Sequence, residues 1–395
     1  MTNDNIVITA ACRTPMGSFQ GKLSKMTAPR LGSLVIKDSI NKSKIEPNDI
    51  SESIFGCVLP AGIGQAPARQ ASIAAGIPDR VGSTTINKMC GSGMKAAMIA
   101  FDSIKAGTNE IVAAGGIESM SNTPYVLPKV REGLRMGHNA VKDHMFLDGL
   151  EDAYEPGKLM GSFAEDTAEA YQFTREEQDN YAITSLMRAR KANEEGYFDN
   201  EITPVKIQSK REEKTITKDE QPFISNPSKI PNLRPAFREN GTVTAANSSS
   251  ISDGAASIIL MKEKEAEKRQ LNPLARIVAH STNSQQPKWF TTAPIGAIEK
   301  VLEKANWNKS EVDLFEINEA FAVVPMAAMR DLKISHDILN IHGGACALGH
   351  PVGASGARII ATLIFALKKN DLKKGVASLC IGGGEATAMA LEVIN

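Results

Sequence analysis

The stretch NKMCGSG, residues 87–93, presents Cys90 in a glycine-rich turn directly ahead of a helical pattern. The apolar residues that follow recur at helical spacing: Met94, Ala97, Phe101 and Ile104. A strand candidate, residues 111–116 (IVAAGG), comes next and runs into glycines. A turn, a helix and a buried strand in this order indicate a layered α/β fold, with the reactive side chain beside a helix N-terminus.

A second copy of this arrangement is predicted near the C-terminus. Residues 353–356 (GASG) precede another helical pattern, and the strand candidate 376–381 (VASLCI) ends in three glycines. Short β-rich runs alternate with helical patterns elsewhere in the chain. We therefore expect two related α/β halves whose reactive turns occupy matching positions at a shared interface.

The region between the two halves has a different composition. Residues 121–247 are richer in proline, methionine and charge, and a helix pair is expected over residues 164–195. We interpret this region as an inserted loop domain that covers a ligand. The N-terminal half would then span residues 1–120 and be completed by about 248–270, and the C-terminal half would span 271–395.

Composition argues against several classes of partner. Basic and acidic residues both number 45 among 395, so the formal net charge is zero, which disfavours nucleic-acid and anionic-membrane partners. The apolar runs are too short to span a membrane. The five cysteines form neither a disulfide framework nor a CxxC zinc pair, and residues 1–5 lack the regions of a signal peptide. We predict a cytoplasmic protein with free thiols.

Cys90 is the predicted nucleophile. A thiol just before a helix lies close to the positive end of the helix dipole and to unpaired backbone N–H groups, which lower its pKa. The alternative is a buried structural cysteine, because this residue type is often buried. The flanking glycines favour the nucleophile, and we expect a lowered pKa.

His350 is the predicted base. It lies between Gly349 and Pro351, where an imidazole can accept a proton from a thiol or donate to a carbonyl oxygen. Together with His342 and Cys346 it would present three metal ligands on one face only in a continuous helix. The intervening glycines disfavour such a helix, so we expect no metal site.

Cys380 and Asn318 complete the candidate set. Cys380 ends the second buried strand, where a thiol can act as a second acid or base and the following N–H groups can hold an oxyanion. The alternative for Cys380 is a small core residue. Asn318 can orient a water or donate to an oxyanion, and its alternative is a helix N-cap. Two thiols and an imidazole in glycine turns are the groups that acyl transfer through a thioester requires.

The sequence as a whole resembles the thiolases, and most closely their acetyl-CoA acetyltransferase branch. The matching segments follow the family's order over nearly the whole chain: 87–97 (NKMCGSGMKAA), 115–125 (GGIESMSNTPY), 233–237 (LRPAF), 241–245 (GTVTA), 318–322 (NEAFA), 343–358 (GGACALGHPVGASGAR) and 380–384 (CIGGG). The resemblance implies two related α/β halves in an α-β-α-β-α layering, an inserted loop domain, and a homotetramer built as a dimer of dimers.

The resemblance also implies a ping-pong condensation of two acetyl-CoA to acetoacetyl-CoA and CoA, without a metal or redox cofactor. Cys90 would carry the acetyl group, His350 would activate it, and Cys380 would move the α-proton. His350 and a water on Asn318 would hold the enolate oxygen. The N–H groups of Cys90 and Gly382 would hold the acyl-enzyme oxygen. CoA itself, a substrate and product, would contact Met160, Phe237, Ala245, Ser249 and Phe321.

Several positions depart from the family pattern. Leu159 stands where many short-chain members carry histidine. Residues 221–229 offer no arginine for the CoA nucleotide, which leaves Lys218 or Lys229 as the candidate cation. Phe290 occupies an expected acyl-pocket position, where a bulky ring favours a short acyl chain.

Three other functions stay open at this point. A longer-chain 3-ketoacyl-CoA thiolase of fatty-acid β-oxidation would share every catalytic residue and differ in pocket depth. A non-catalytic acyl-CoA binding protein on the same scaffold would have lost Cys90, His350 or Cys380, and all three are present. A condensing enzyme acting on acyl carrier protein typically has a Cys/His/His or Cys/His/Asn set, which the second thiol disfavours.

Overall fold

The computed structural model describes residues 5–208 and 213–394, so residues 1–4 of the polar lead lie outside the description. The strands are β1 (Ile6–Arg13), β2 (Gly17–Ser18), β3 (Glu52–Gly56), β4 (Gly82–Ile86), β5 (Ile111–Ser119), β6 (Tyr125–Val126), β7 (Lys142–Asp143), β8 (Val205–Gln208), β9 (Glu213–Ile216), β10 (Ser252–Lys262), β11 (Ala275–Ser284), β12 (Leu314–Ile317), β13 (Lys374–Ile381) and β14 (Glu385–Val393). The α-helices are α1 (Ala28–Ser43), α2 (Pro67–Ala74), α3 (Ser92–Lys105), α4 (Met160–Ala170), α5 (Arg175–Glu194), α6 (Gln221–Ile224), α7 (Glu263–Lys268), α8 (Ala293–Ala305), α9 (Val323–Leu332), α10 (Ala345–Leu348) and α11 (Val352–Lys369).

Ten of these strands form one sheet in which the two halves meet at β1 and β11. The order is β12-β13-β14-β11-β1-β10-β5-β3-β4, with β2 beside β10. In one half β3 pairs parallel with β5, and β5 and β1 flank β10 antiparallel. In the other half β12 pairs parallel with β13, and β13 and β11 flank β14 antiparallel. The expectation of two related halves is therefore confirmed.

The helices form three layers around the two halves of the sheet. Helices α3 and α11 lie in the centre, where their apolar side chains share one core with strands of both halves. Helices α1 and α2 pack on the outer face of the N-terminal half. Helices α8 and α9 pack on the outer face of the C-terminal half. This is the predicted α-β-α-β-α layering.

Glycines allow the two central helices to approach closely at their N-terminal ends. A side chain at Gly356 would collide with the backbone of Met94, and one at Gly116 would collide with the backbone of Gly353. Only glycine permits such backbone approach. The crossing brings the turn before α3, which carries Cys90, next to the turn before α11.

The region between the halves contains the predicted helix pair as α4 and α5, together with the short hairpins β6–β7 and β8–β9. Tyr181 and Ser185 of α5 donate hydrogen bonds of 3.0 and 2.7 Å to the buried carboxylate of Glu319, which ties this region to the C-terminal half. The domain boundaries at residues 120, 247 and 270 stay a prediction. Within the described ranges, every helix is too short or too polar to cross a membrane.

Candidate active site

A cavity of about 430 Å³ opens beside the N-terminal ends of α3 and α11. Its lining includes most of the predicted site residues: Cys90, His350, Gly382, Met160, Phe237, Ala245, Ser249, Phe290 and Phe321. The remaining two, Asn318 and Cys380, are fully buried and do not line it. The structure thus brings together residues that are separated by nearly 300 positions in the chain.

The turn that carries Cys90 has an unusual backbone and packs against the end of β13, next to Cys380. Met89 has a φ of +45°, in the left-handed region that L-residues seldom adopt. A side chain at Gly91 would collide with the side chain of Ile381 at the end of β13. The hydroxyl of Ser92 closes the turn by accepting a 2.9 Å hydrogen bond from the N–H of Lys88. The glycine after Cys90 is therefore required for the two turns to touch.

The expected low pKa of Cys90 is wrong. Burial raises the pKa of the thiol to about 11, and the charge of Glu118 adds to the rise. The N–H groups of Gly382 and of Cys90 itself lie close enough to the sulfur to act in the opposite direction. Desolvation exceeds the effect of the helix end, so the resting sulfur is a neutral thiol.

His350 is held as a neutral imidazole with one nitrogen free. Burial, with a smaller contribution from Arg358, lowers its pKa to about 3. Its Nδ1 lies 2.5 Å from Oγ of Ser355, whose hydroxyl donates to the carbonyl of Pro351 at 3.0 Å. Because that hydroxyl proton is already committed, Ser355 accepts from Nδ1–H, and Nε2 is the unprotonated acceptor. This Nε2 is buried and has no hydrogen-bond partner within the described residues.

Cys380 lies at the end of β13 in the core beside the cavity. Burial raises its pKa well above that of an ordinary thiol, and the neighbouring charge of Cys90 raises it further. Cys380 is therefore a core residue close to Cys90, and its role as a second acid or base stays a prediction.

Asn318 directly follows β12, and the N-cap alternative is wrong because α9 begins only at Val323. Its Oδ1 accepts a 3.2 Å hydrogen bond from Arg358. Its Nδ2 is buried and, in the part of the chain that is described, has no partner. The amide NH₂ group is therefore free to donate, as an oxyanion or water ligand requires.

As predicted, no continuous helix carries His342, Cys346 and His350. Residues Ala345–Leu348 form the single turn α10, but His342 and His350 lie outside it. Across residues 5–208 and 213–394, no three His, Cys, Asp or Glu side chains converge as a metal site would require. That the reaction needs no metal or redox cofactor stays a prediction.

The geometry agrees with the comparisons to known proteins. The model of the thiolase N-terminal domain matches residues 6–264, and that of the thiolase C-terminal domain matches residues 271–393. The chain belongs to the thiolase family.

Two relatives illustrate the similarity of this thiolase in sequence. The probable acetyl-CoA acetyltransferase of Dictyostelium discoideum is 47% identical over 390 residues, which cover 98% of this chain and 94% of the relative. The acetyl-CoA acetyltransferase of Saccharomyces cerevisiae is 45% identical over 398 residues, covering 99% and 100%.

Two solved structures show the same fold. The acetyl-CoA acetyltransferase of Bacillus anthracis superposes with a TM-score of 0.96 at 42% identity, covering 99% of both chains. The Acat5 thiolase from Ascaris suum in complex with coenzyme A superposes with a TM-score of 0.94 at 41% identity, covering 99% of this chain and 100% of that one.

Aromatic side chains close one end of this thiolase's cavity. Phe290 is almost completely buried and makes edge-to-face contacts with Phe163 and Phe321, each at 6.4 Å between ring centroids. Leu159 also lines the cavity, so an apolar side chain stands at the position where histidine is common in short-chain members. The cavity wall near Phe290 is therefore apolar and aromatic.

A second cavity of about 280 Å³ adjoins the first and shares Gln221, Ala245 and Ser250 with it. Lys229, one of the two proposed CoA-phosphate cations, lines this second cavity, whereas Lys218 lines neither cavity. Of the two lysines, Lys229 is therefore the better placed for a ligand that extends from one cavity into the other.

Three buried polar residues that contact or influence the predicted site escaped sequence reasoning. Ser355 hydrogen-bonds His350, and Arg358 hydrogen-bonds Asn318. Glu118, whose charge acts on Cys90, accepts backbone N–H groups from Val58, Leu59 and Gly353 at 3.0, 3.2 and 2.9 Å. Arg358 and Glu118 could have been noticed in the sequence as charged residues within largely apolar segments. The signal for Ser355 was a hydroxyl one turn after the histidine.

Proposed function

We propose that this thiolase is an acetyl-CoA C-acetyltransferase that condenses two acetyl-CoA to acetoacetyl-CoA and CoA, reversibly, through an acetyl group on Cys90. The observation that carries the proposal is that Cys90 and His350 line one cavity, with Cys380 buried beside them. Nε2 of His350 has no hydrogen-bond partner among the described residues. The names of the two acetyl-CoA acetyltransferase relatives support the choice of acetyl-CoA. The coenzyme A in the Ascaris suum thiolase supports the choice of CoA.

In the first half-reaction, Sγ of Cys90 attacks the thioester carbon of acetyl-CoA while its proton moves to Nε2 of His350. The carbonyl oxygen becomes negative and accepts hydrogen bonds from the N–H groups of Cys90 and Gly382. The C–S bond to CoA then breaks, and the departing thiolate takes the proton of Cys380. The products are acetyl-Cys90, protonated His350 and the thiolate of Cys380.

In the second half-reaction, the thiolate of Cys380 removes an α-proton from a second acetyl-CoA. The enolate oxygen accepts hydrogen bonds from Nε2–H of His350 and from a water held by Asn318. The enolate carbon bonds to the acetyl carbon, the C–S bond to Cys90 breaks, and the Cys90 sulfur recovers its proton from His350. All three groups return to their neutral forms.

The same site supports cleavage of a longer 3-ketoacyl-CoA, which is the second candidate function. The Phe290 ring at the end of the cavity favours the acetyl-specific enzyme, since a longer chain needs space where the ring stands. A non-catalytic binding protein is less favoured because all three reactive side chains are retained.

We further infer a cytoplasmic homotetramer that acts in fatty acid metabolism. Five cysteines without a disulfide suit a reducing compartment. An arm formed by residues 123–146 exposes several large apolar side chains: Tyr125, Leu127, Val130, Leu134, Met136, Val141 and Phe146. Such a surface suits burial against another copy of the chain.

CoA-dependent thiolysis of 3-ketoacyl-CoA substrates of increasing chain length, with purified protein and no added metal, tests the proposal. Activity confined to acetoacetyl-CoA supports the acetyl-specific enzyme. Activity that rises with chain length moves the protein to β-oxidation. Absence of activity on every substrate overturns the enzymatic proposal.

A further inference from the structure

Arg358 is a fully buried cation in a helix that is otherwise uncharged up to its C-terminal end. It lies in the second turn of α11, one turn beyond Ser355, and the next charged residue of this helix is Lys368. Its side chain is only 1% exposed. A guanidinium in such a place is costly unless good hydrogen bonds compensate for the lost water. Its contacts therefore indicate why the position carries a charge.

The guanidinium makes two hydrogen bonds that join α11 to the end of β12. One nitrogen donates to Glu316 at 2.7 Å, and the other donates to Oδ1 of Asn318 at 3.2 Å. Arginine carries donors only, so the atom of the amide that faces it has to be the carbonyl oxygen. The NH₂ group of Asn318 is consequently turned away from the arginine, and its nitrogen has no hydrogen-bond partner among the described residues.

We propose that Arg358 is a positioning residue that acts through Asn318, fixing the amide so that its NH₂ donates to the reacting thioester oxygen or to the water bound there. The proposal rests on the reaction proposed above. In this proposal the second turn of α11 positions Asn318 through Arg358, just as the first turn positions the imidazole of His350 through Ser355. One helix thereby orients both groups that hold the enolate oxygen.

The test exploits the difference between the two half-reactions. Asn318 is required where an enolate is held, in thiolysis of acetoacetyl-CoA, and is not required when acetyl-CoA acetylates Cys90. We expect Arg358→Met combined with Glu316→Leu, which removes both buried charges together, to lower kcat of thiolysis by about 10²-fold, as for loss of one oxyanion donor. The single-turnover rate of Cys90 acetylation, followed by intact mass, should fall by less than about threefold, because the N–H groups of the other oxyanion site are untouched.

A double-mutant cycle separates action through Asn318 from a general structural effect. Asn318→Ala alone should cause about the same loss of thiolysis, and adding it to the Arg358/Glu316 pair should cause no further loss. Additive losses, or equal losses in both half-reactions, overturn the proposal. A wild-type protein that fails to acetylate Cys90 overturns the proposed function instead, so the two failures are distinguishable.

Two more variants keep the test decisive if the apolar pair does not fold. Arg358→Lys retains a positive charge beside Glu316 but loses the planar guanidinium that donates to two acceptors at once. We therefore expect about a tenfold loss of thiolysis without a matching loss of Cys90 acetylation. Wild-type thiolysis by a folded Arg358→Lys variant overturns the proposal. The matched control is Arg13→Lys, since Arg13 is equally buried and paired with Glu201 and Asp219 but does not contact Asn318. It should change both half-reaction rates by the same factor.

Discussion

Nδ1 of His350 lies 2.5 Å from Oγ of Ser355, and the Ser355 hydroxyl lies 3.0 Å from the carbonyl oxygen of Pro351. The serine hydrogen is directed to the carbonyl, so the serine oxygen can only accept the Nδ1 proton. This pair of bonds selects one tautomer of the imidazole and leaves Nε2 unprotonated, as the proposed transfer of the Cys90 proton requires. The selection is made by the first turn of the helix that follows the histidine.

Replacement of this serine tests the orientation of the base. We expect Ser355→Ala to lower kcat of thiolysis by about 10–100-fold, the usual effect of losing an orienting partner, with little change in KM. Steady-state kinetics with acetoacetyl-CoA measure this. The control is Ser39→Ala, because Ser39 is also a buried helix serine that hydrogen-bonds another hydroxyl, that of Ser257, but lies in the outer layer. Equal losses in both variants would contradict an orienting role.

The pKa values of Cys90 and His350 predict a steep pH dependence of Cys90 alkylation. With the pKa of His350 lowered to about 3 and that of Cys90 raised to about 11, both groups are neutral throughout pH 5–8. Because the pKa of the imidazole is so low, the thiol loses its proton to solvent more readily than to His350. The fraction of thiolate therefore rises about tenfold per pH unit in this window, and we expect the iodoacetamide rate at Cys90 to rise by the same factor.

The control for this profile is His350→Ala, which removes the imidazole. In that variant too the thiolate forms by loss of a proton to solvent, so the rise of about tenfold per pH unit should be unchanged. An inflection near pH 6.5 in the wild-type enzyme would show that His350 titrates as an ordinary histidine and would contradict the prediction.

The outcome for Cys90 shows what the sequence can predict and where it stops. Glycine turns and apolar spacing predict two similar halves, because local patterns determine the order of helices and strands. The direction of the pKa shift of the Cys90 thiol was predicted wrongly, because it depends on how much water the rest of the fold removes from the sulfur. The roles of Ser355 and Arg358 escaped prediction for a related reason. A buried hydroxyl or cation has a function only through a partner that the tertiary fold supplies.

Removal of the second thiol separates the proposed acid–base role from nucleophilic catalysis. Cys90→Ala should abolish the acetyl-enzyme altogether. Cys380→Ser should leave acetylation of Cys90 within about tenfold of wild type, because the leaving CoA thiolate can take a proton from water, but lower thiolysis by at least about 10²-fold. Intact-mass measurement after exposure to acetyl-CoA gives the first quantity and steady-state kinetics the second. A Cys380→Ser variant that does not acetylate at all would refute this division of roles.

Replacing the Phe290 ring in the cavity wall with a smaller side chain should alter the preference for acyl-chain length. Phe290→Leu opens space beside Phe163 and Phe321, so we expect kcat/KM for a six-carbon 3-ketoacyl-CoA to rise at least about fivefold relative to acetoacetyl-CoA. The matched control is Phe315→Leu, because Phe315 is equally buried in the same core but does not line the cavity. A similar shift in both variants would attribute the change to loosened packing.

The exposed arm of residues 123–146 predicts how subunits associate. Met136 is 99% exposed and Leu134 is 55% exposed, an arrangement that a solitary chain in water disfavours. We expect light scattering to give the mass of four chains for the wild-type protein and of two for Leu134→Ser combined with Met136→Ser, because loss of the apolar contact removes one of the two interfaces of a dimer of dimers. Ile73→Ser is the control, since Ile73 is 50% exposed on α2, outside the arm. If Ile73→Ser dissociates the assembly and the arm variant does not, the arm is not the interface that joins the dimers.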